Sequence, residues 1–243
     1  MKTFYSFILL IMISVSSCSS GLADNIKGSG KVQKEQRQIT PFSKVSVSTA
    51  VQLIITQGPA LPNLTVEAED NILPYIETKV EGNTLHIGIN NKSKHQNLNP
   101  TKPMKVYVTV IEISEFEGSS ASKITGTNTW KANTLKIDLS SASSINMTVE
   151  AKELDIEVSS AAKAEITGTC TKLEMDVNSA AKVDAEGLVA ENADIDVSSA
   201  ASASVKVTEK LSYDVSSAGK LNYSGSPRIE KAEVDKSGKV SHK

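Results

Sequence analysis

From about residue 115 onward, apolar and polar positions recur with a fixed period. Seven copies align on the alanines of Ser119-Ser120-Ala121, Ser140-Ser141-Ala142, Ser159-Ser160-Ala161, Asn178-Ser179-Ala180, Ser198-Ser199-Ala200 and Ser216-Ser217-Ala218, and on Ser237. The spacings are 21, 19, 19, 20, 18 and 19 residues. Five positions before each anchor stand Phe116, Ile137, Ile156, Met175, Ile195, Tyr213 and Ala232, all apolar. Three before stand Gly118, Leu139, Val158, Val177, Val197, Val215 and Val234. Between these columns lie Glu117, Asp138, Glu157, Asp176, Asp196, Asp214 and Glu233, acidic in every copy. Apolar, acidic, apolar at consecutive positions is period-two alternation, the mark of a strand with one face inward. One after the anchor only Ser, Ala or Gly occurs, as a tight corner requires.

A single copy has no second layer on which to bury its inner face, but stacked copies form a continuous core. The pattern therefore predicts an all-β fold: a single-stranded parallel β-helix with coils of about 19 residues and like positions about 4.8 Å apart. Each copy is expected to hold two or three short strands separated by small residues. Right-handed winding follows from the general handedness of crossovers between parallel strands.

Residues 39–115 alternate less regularly. Val45–Ile55, Leu64–Ala68, Thr84–Ile89 and Lys105–Val110 read as strands, and Thr49-Ala50 echoes the corner of the repeats. Gly58-Pro59, Glu81-Gly82-Asn83 and Asn99-Pro100 read as turns, and residues 90–103 as a long, flexible polar loop. This half is expected to form irregular β coils of the same rod and its cap, and residues 116–243 the regular coils.

Over residues 39–225 the chain resembles the head GIN domain of auto-transporter adhesins, a family of bacterial cell-envelope proteins. The resemblance rests on Pro41-Phe42-Ser43-Lys44-Val45-Ser46-Val47, Val51–Gly58, Leu64-Thr65-Val66-Glu67, Asn71-Ile72-Leu73, Thr84-Leu85-His86-Ile87 and the later Ser-Ser-Ala coils. It implies a β-helical, secreted or surface-anchored protein, and brings no catalytic residues with it.

The N-terminus adds a membrane to the picture. Residues 1–17 read as a lipoprotein signal peptide: Lys2 precedes the short apolar run Phe7–Ile13, which is too short to span a bilayer. Val15-Ser16-Ser17-Cys18 resembles a bacterial lipobox, which makes Cys18 the expected lipidation site. Residues 18–38 are expected to be a tether. The expected location is then the bacterial cell envelope, on the outer membrane if the cell has one.

Composition narrows the chemistry. Lys and Arg number 26 against 28 Asp and Glu, and aromatics are 4% of the chain, so there is no basic, ring-bearing footprint for nucleic acid. Serines number 33, about half of them in the corner clusters. Six equivalent serines (Ser120, Ser141, Ser160, Ser179, Ser199, Ser217), expected to point inward or into the corner, do not single out a nucleophile. The three histidines, His86, His95 and His242, are scattered, and Cys170 reads as a wall residue without metal-ligand spacing. No cofactor is expected.

The acidic column is the candidate site. Carboxylates about 4.8 Å apart repel by about 0.9 kcal/mol per neighbour even in water. The expected offset is solvation plus the lysines two after the anchor (Lys123, Lys163, Lys182, Lys220, Lys239). The functional alternative is a ladder of Asp138, Glu157, Asp176, Asp196 and Asp214 that holds hard cations or a basic partner. The expected function is non-enzymatic: an extended surface for adhesion or for a glycan or envelope protein. A polysaccharide lyase or hydrolase on the same fold is the rival, but it requires clustered, non-repeating acids and aromatics.

Overall fold

A computed structural model describes residues 24–59, 63–90 and 96–243. Cys18, His95 and the signal segment lie outside the described residues. Within them the chain is a β-helix. Ser144–Val158, Lys163–Val177, Lys182–Val197 and Ser202–Val215 stack in parallel, each pairing with the next in near-perfect register.

Each regular coil is one strand of 14 to 16 residues, not two or three short ones. The alternation explains how such a strand bends. In Ser144–Val158 the buried positions are Ile145, Met147 and Val149, then Leu154, Ile156 and Val158. The odd five-residue step between the two sets turns the strand about its own axis without breaking the ladder. The variable spacing of the repeats is absorbed near this bend, where register shifts fall between Glu165 and Gly168 and between Ala185 and Val189.

The sharp corner is the Ser-Ala pair. Ser120-Ala121, Ser141-Ala142, Ser160-Ala161, Ser179-Ala180, Ser199-Ala200 and Ser217-Ala218 all have φ between 50° and 64°. Left-handed backbone costs an L-residue about 1–2 kcal/mol. Hydrogen bonding holds it in place. Ser122 N–H donates back to the Ser119 carbonyl (3.1 Å), and the Ala121 N–H donates up the rod to the Ser141 carbonyl (2.9 Å). Ala142, Ala161, Ala180 and Ala200 donate to the following coil in the same way. Two left-handed residues in succession carry the serine side chains outward. The serine column expected to point inward or into the corner is exposed; the small residues that face inward are those two positions later, Ala162, Ala181 and Ala201.

The core is a set of apolar columns: Ile137, Ile156, Met175 and Ile195 in one, and Leu139, Val158, Val177 and Val197 beside it, each at most 2% exposed. Where the regular coils begin, Phe116 and Trp130 meet edge to face at 5.2 Å and fill the interior. Cys170 is a wall residue of this core, and burial pushes its thiol up to about 12.

Stacking departs from chain order at one end of the rod. Lys44–Val47 lies between Thr84–Ile89 and Glu115–Gly118, and Gln52–Gln57 between Lys105–Val110 and Lys123–Gly126. The Thr49-Ala50 corner is thus a true copy of the repeat. It has left-handed φ at both residues, and the Ala50 N–H reaches the Ser120 carbonyl at 2.9 Å, across 70 positions of sequence. The chain lays down this coil, builds the end of the rod with residues 63–90 and 96–110, then returns to the other side.

That end is closed by antiparallel strands: Ile76–Glu81 on Thr84–Ile89, and Val32–Gln38 on Asn63–Glu69. The segment expected as a tether is therefore built into the fold where it is described: Asp24–Lys27 pairs with Gln96–Asn99, and Val32–Gln38 joins the cap. The same pairing makes strand of part of the expected polar loop. Glu69, fully buried, fastens these pieces. It accepts the hydroxyl and N–H of Thr101 and the N–H groups of Gly30 (2.7 Å) and Lys102. The Thr101 hydroxyl leads these bonds in holding the Glu69 carboxyl below its ordinary range.

Candidate functional site

The acidic column is an unbroken ladder. Register pairs Glu117 with Asp138, Asp138 with Glu157, Glu157 with Asp176, Asp176 with Asp196, Asp196 with Asp214, and Asp214 with Glu233. A second column runs beside it, two residues earlier: Glu115, Lys136, Asp155, Glu174, Asp194, Ser212 and Lys231. The middle of this face is therefore acidic two columns wide, with a lysine towards each end.

Those two lysines, not the expected ones, relieve the ladder. Lys136 Nζ sits 2.6 Å from Glu157 and 3.7 Å from Asp155, and Lys231 sits 3.5 Å from Glu233. The lysines two after the anchor lie past the corner, each at the first residue of the next strand. Among the described residues none of Lys123, Lys163, Lys182, Lys220 and Lys239 forms an ion pair with the ladder. They make a ladder of their own, with Lys163 beside Lys182 and Lys220 beside Lys239. The rod thus carries an acidic stripe and a basic stripe on either side of one corner.

The middle of the acidic stripe feels its own charge. Partial burial, then Asp194, Asp214 and Asp176, raises the Asp196 carboxyl above its ordinary range. Partial burial and Glu157 do the same at Asp138. A carboxyl raised in the folded state takes up protons more readily there than in the unfolded chain. Its contribution therefore grows as pH falls through the folded value and levels off below the unfolded one. Asp196→Asn should leave stability at neutral pH unchanged or raise it by up to about 0.5 kcal/mol, the range of exposed substitutions. It should also flatten the gain on mild acidification, as chemical denaturation at a series of pH values would record. A clear loss of stability would mean that the ladder is satisfied by something the repulsion argument omits.

The acids stand side by side and do not converge: among the described residues no cluster of three or more His, Cys, Asp or Glu could hold a metal ion. A shallow groove of about 390 Å³ runs along the ladder, lined by Asp176, Asp196, Asp214 and the corner residues Asn178, Ser179 and Ser199. A second, of about 280 Å³, lies between Lys123, Lys163 and Lys182, with Glu165 and Asp184 at its border. The aromatic rings do not form a sugar platform in either: Trp130 is buried, and Tyr107 lies under Lys34 at 5.7 Å. His86 is exposed in its strand, and His242 stacks on Tyr223 at 4.6 Å. The second acidic column does not show in the sequence because Lys136, Ser212 and Lys231 interrupt it, whereas the lysine column does show and differs from expectation only in standing apart from the acidic ladder.

Residues 41–227 match the family model described as "Putative auto-transporter adhesin, head GIN domain". Among solved structures, a putative adhesin from Bacteroides fragilis is similar with a TM-score of 0.83 at 19% identity, over 90% of this chain and 100% of that one. A putative adhesin from Parabacteroides merdae is similar with a TM-score of 0.75 at 19% identity, over 91% of this chain and 100% of that one. A structure from Parabacteroides distasonis described as a putative lipid binding protein reaches 0.68 at 19% identity, over 90% and 100%. At these identities the likeness carries the fold. No curated protein matches the chain.

Proposed function

The chain belongs to the head GIN family of putative auto-transporter adhesins, and from that premise we propose that it is a non-enzymatic, lipid-anchored cell-envelope protein that binds extended anionic glycans along its basic stripe. The observation that supports this reading is the lysine ladder. Lys163 and Lys182 stand in register on neighbouring coils, as do Lys220 and Lys239. They lie past the corner from the acidic stripe and are exposed. Like charges in register destabilise a sheet, and an external anion that repeats along the rod axis would relieve them. A compact substrate would touch one or two rungs; a long polymer would engage the ladder coil after coil. The shallowness of both grooves favours such a partner over a reaction that must exclude water.

Anchoring rests on Val15-Ser16-Ser17-Cys18. Cys18→Ala should move the protein from the membrane to the soluble fraction, and unchanged partitioning would end the lipid reading. For the surface, the full chain is screened against neutral, anionic and cationic glycans and envelope proteins. Anionic glycans should be retained at low salt, released as salt screens the stripe, and lost with Lys163→Glu and Lys182→Glu together. Binding that ignores those changes, or turnover of a polysaccharide, would overturn the proposal.

A further inference from the structure

The lysine stripe has a companion column. Two residues further along the strands, past one buried position, stand Asn146, Glu165, Asp184, Ser204 and Asn222, joined rung to rung by the same register. In a strand, residues two apart share a face. Acids occur in this column only at Glu165 and Asp184, on the rungs of Lys163 and Lys182. The four side chains are exposed and form a square, two cations beside two anions. Its sides are about 4.8 Å between rungs and about 6.6 Å along each strand.

These opposite charges are close along the chain and yet do not meet. Elsewhere the same spacing closes into ion pairs, at Lys172 and Glu174 (3.8 Å), at Lys231 and Glu233 (3.5 Å), and at Lys79 and Glu81. Among the described residues, none of Lys163, Lys182, Glu165 and Asp184 is in an ion pair. Glu165 instead accepts the side-chain amide of Asn146 on the preceding coil at 2.7 Å, and Asp184 accepts the N–H of Glu186 at 3.4 Å. Between the two columns lies the groove of about 280 Å³, with Ala164 among its lining residues. It is cationic along one side and anionic along the other.

A polymer bearing only anions would satisfy the lysines and bring its charges up against Glu165 and Asp184. An ammonium placed between those two carboxylates, and an anionic group between the two lysines, would partner all four. We propose that this groove selects zwitterionic glycans, in which an amino sugar neighbours an acidic one, over glycans that are anionic alone. The inference rests on the glycan reading above and narrows its ligand.

The test compares immobilised hyaluronan, a polymer of uronate and N-acetylglucosamine, with the same polymer partly N-deacetylated, for binding of the full chain in mild detergent at low salt. Deacetylation sets an ammonium beside a carboxylate and lowers the net negative charge. Attraction to the lysines alone would therefore weaken. The groove should instead bind the deacetylated polymer about fivefold more tightly, the yield of two exposed ion pairs. Glu165→Gln with Asp184→Asn should abolish that preference and bind the parent polymer at least as well as the unchanged protein does. Both positions are exposed, so the double variant should melt with the unchanged protein. Retention of neither polymer would overturn the glycan reading and this inference with it. Retention of the parent with equal or weaker binding of the deacetylated form, or a preference that survives the double variant, overturns the inference alone.

Discussion

Truncating Ile156 to alanine is expected to lower the stability of the rod by about 2–5 kcal/mol, the cost of emptying a closed hydrophobic site. Ile156 is completely buried between Ile137 and Met175 of the adjacent coils, and Leu154 and Val158 flank it on the same inner face. A stacked core relaxes poorly around such a hole, because hydrogen bonds on both sides fix the rise between coils. Lys163→Ala, on the exposed basic stripe, should stay within about 0.5 kcal/mol of the unchanged protein. Urea unfolding of both variants checks the contrast. Similar costs would mean that the inward and outward columns are misassigned.

The contrast was legible in the sequence because the repeat is short and the inner columns are apolar in every copy. Ile137, Ile156, Met175 and Ile195 declare their face without any structure. The corner was legible as a place but not as a conformation. Two successive left-handed residues shift the alternation, so the outward turn of Ser160 cannot be extrapolated from the strand before it. The lysines depart from expectation for the same reason: counted along the chain, Lys163 lies six residues from Glu157, but the corner separates them onto successive strands, Glu157 near the end of one and Lys163 at the start of the next. Least legible was the cap. Pairing Lys44–Val47 with Glu115–Gly118 across the intervening end coil is a long-range choice, and so is fastening residues 28–31 through Glu69. No local periodicity records either.

Glycine at position 168 should prove as indispensable as the core, for a backbone reason. Gly168 has φ of 115°, within the region that L side chains rarely adopt, and it sits in register beside Val149 of the preceding coil. A Cβ built there would lie 1.9 Å from the Val149 carbonyl oxygen and 2.9 Å from its carbon. Neither atom belongs to a flexible side chain, and both are held in the inter-coil ladder, so the ladder itself must open to admit a methyl group. Gly82 separates conformation from collision: its φ is 55°, but a Cβ there would meet nothing within 4 Å. Gly82→Ala should therefore cost only the left-handed penalty, about 1 kcal/mol. Gly168→Ala adds the collision to backbone strain of order 1–3 kcal/mol and should cost at least about 3 kcal/mol. Hydrogen exchange should also show faster opening around Val149 and Gly168 than elsewhere in those coils. Equal costs at the two glycines would show that the strand relaxes at its bend, and that the bend, not the corner, is the compliant part of each coil.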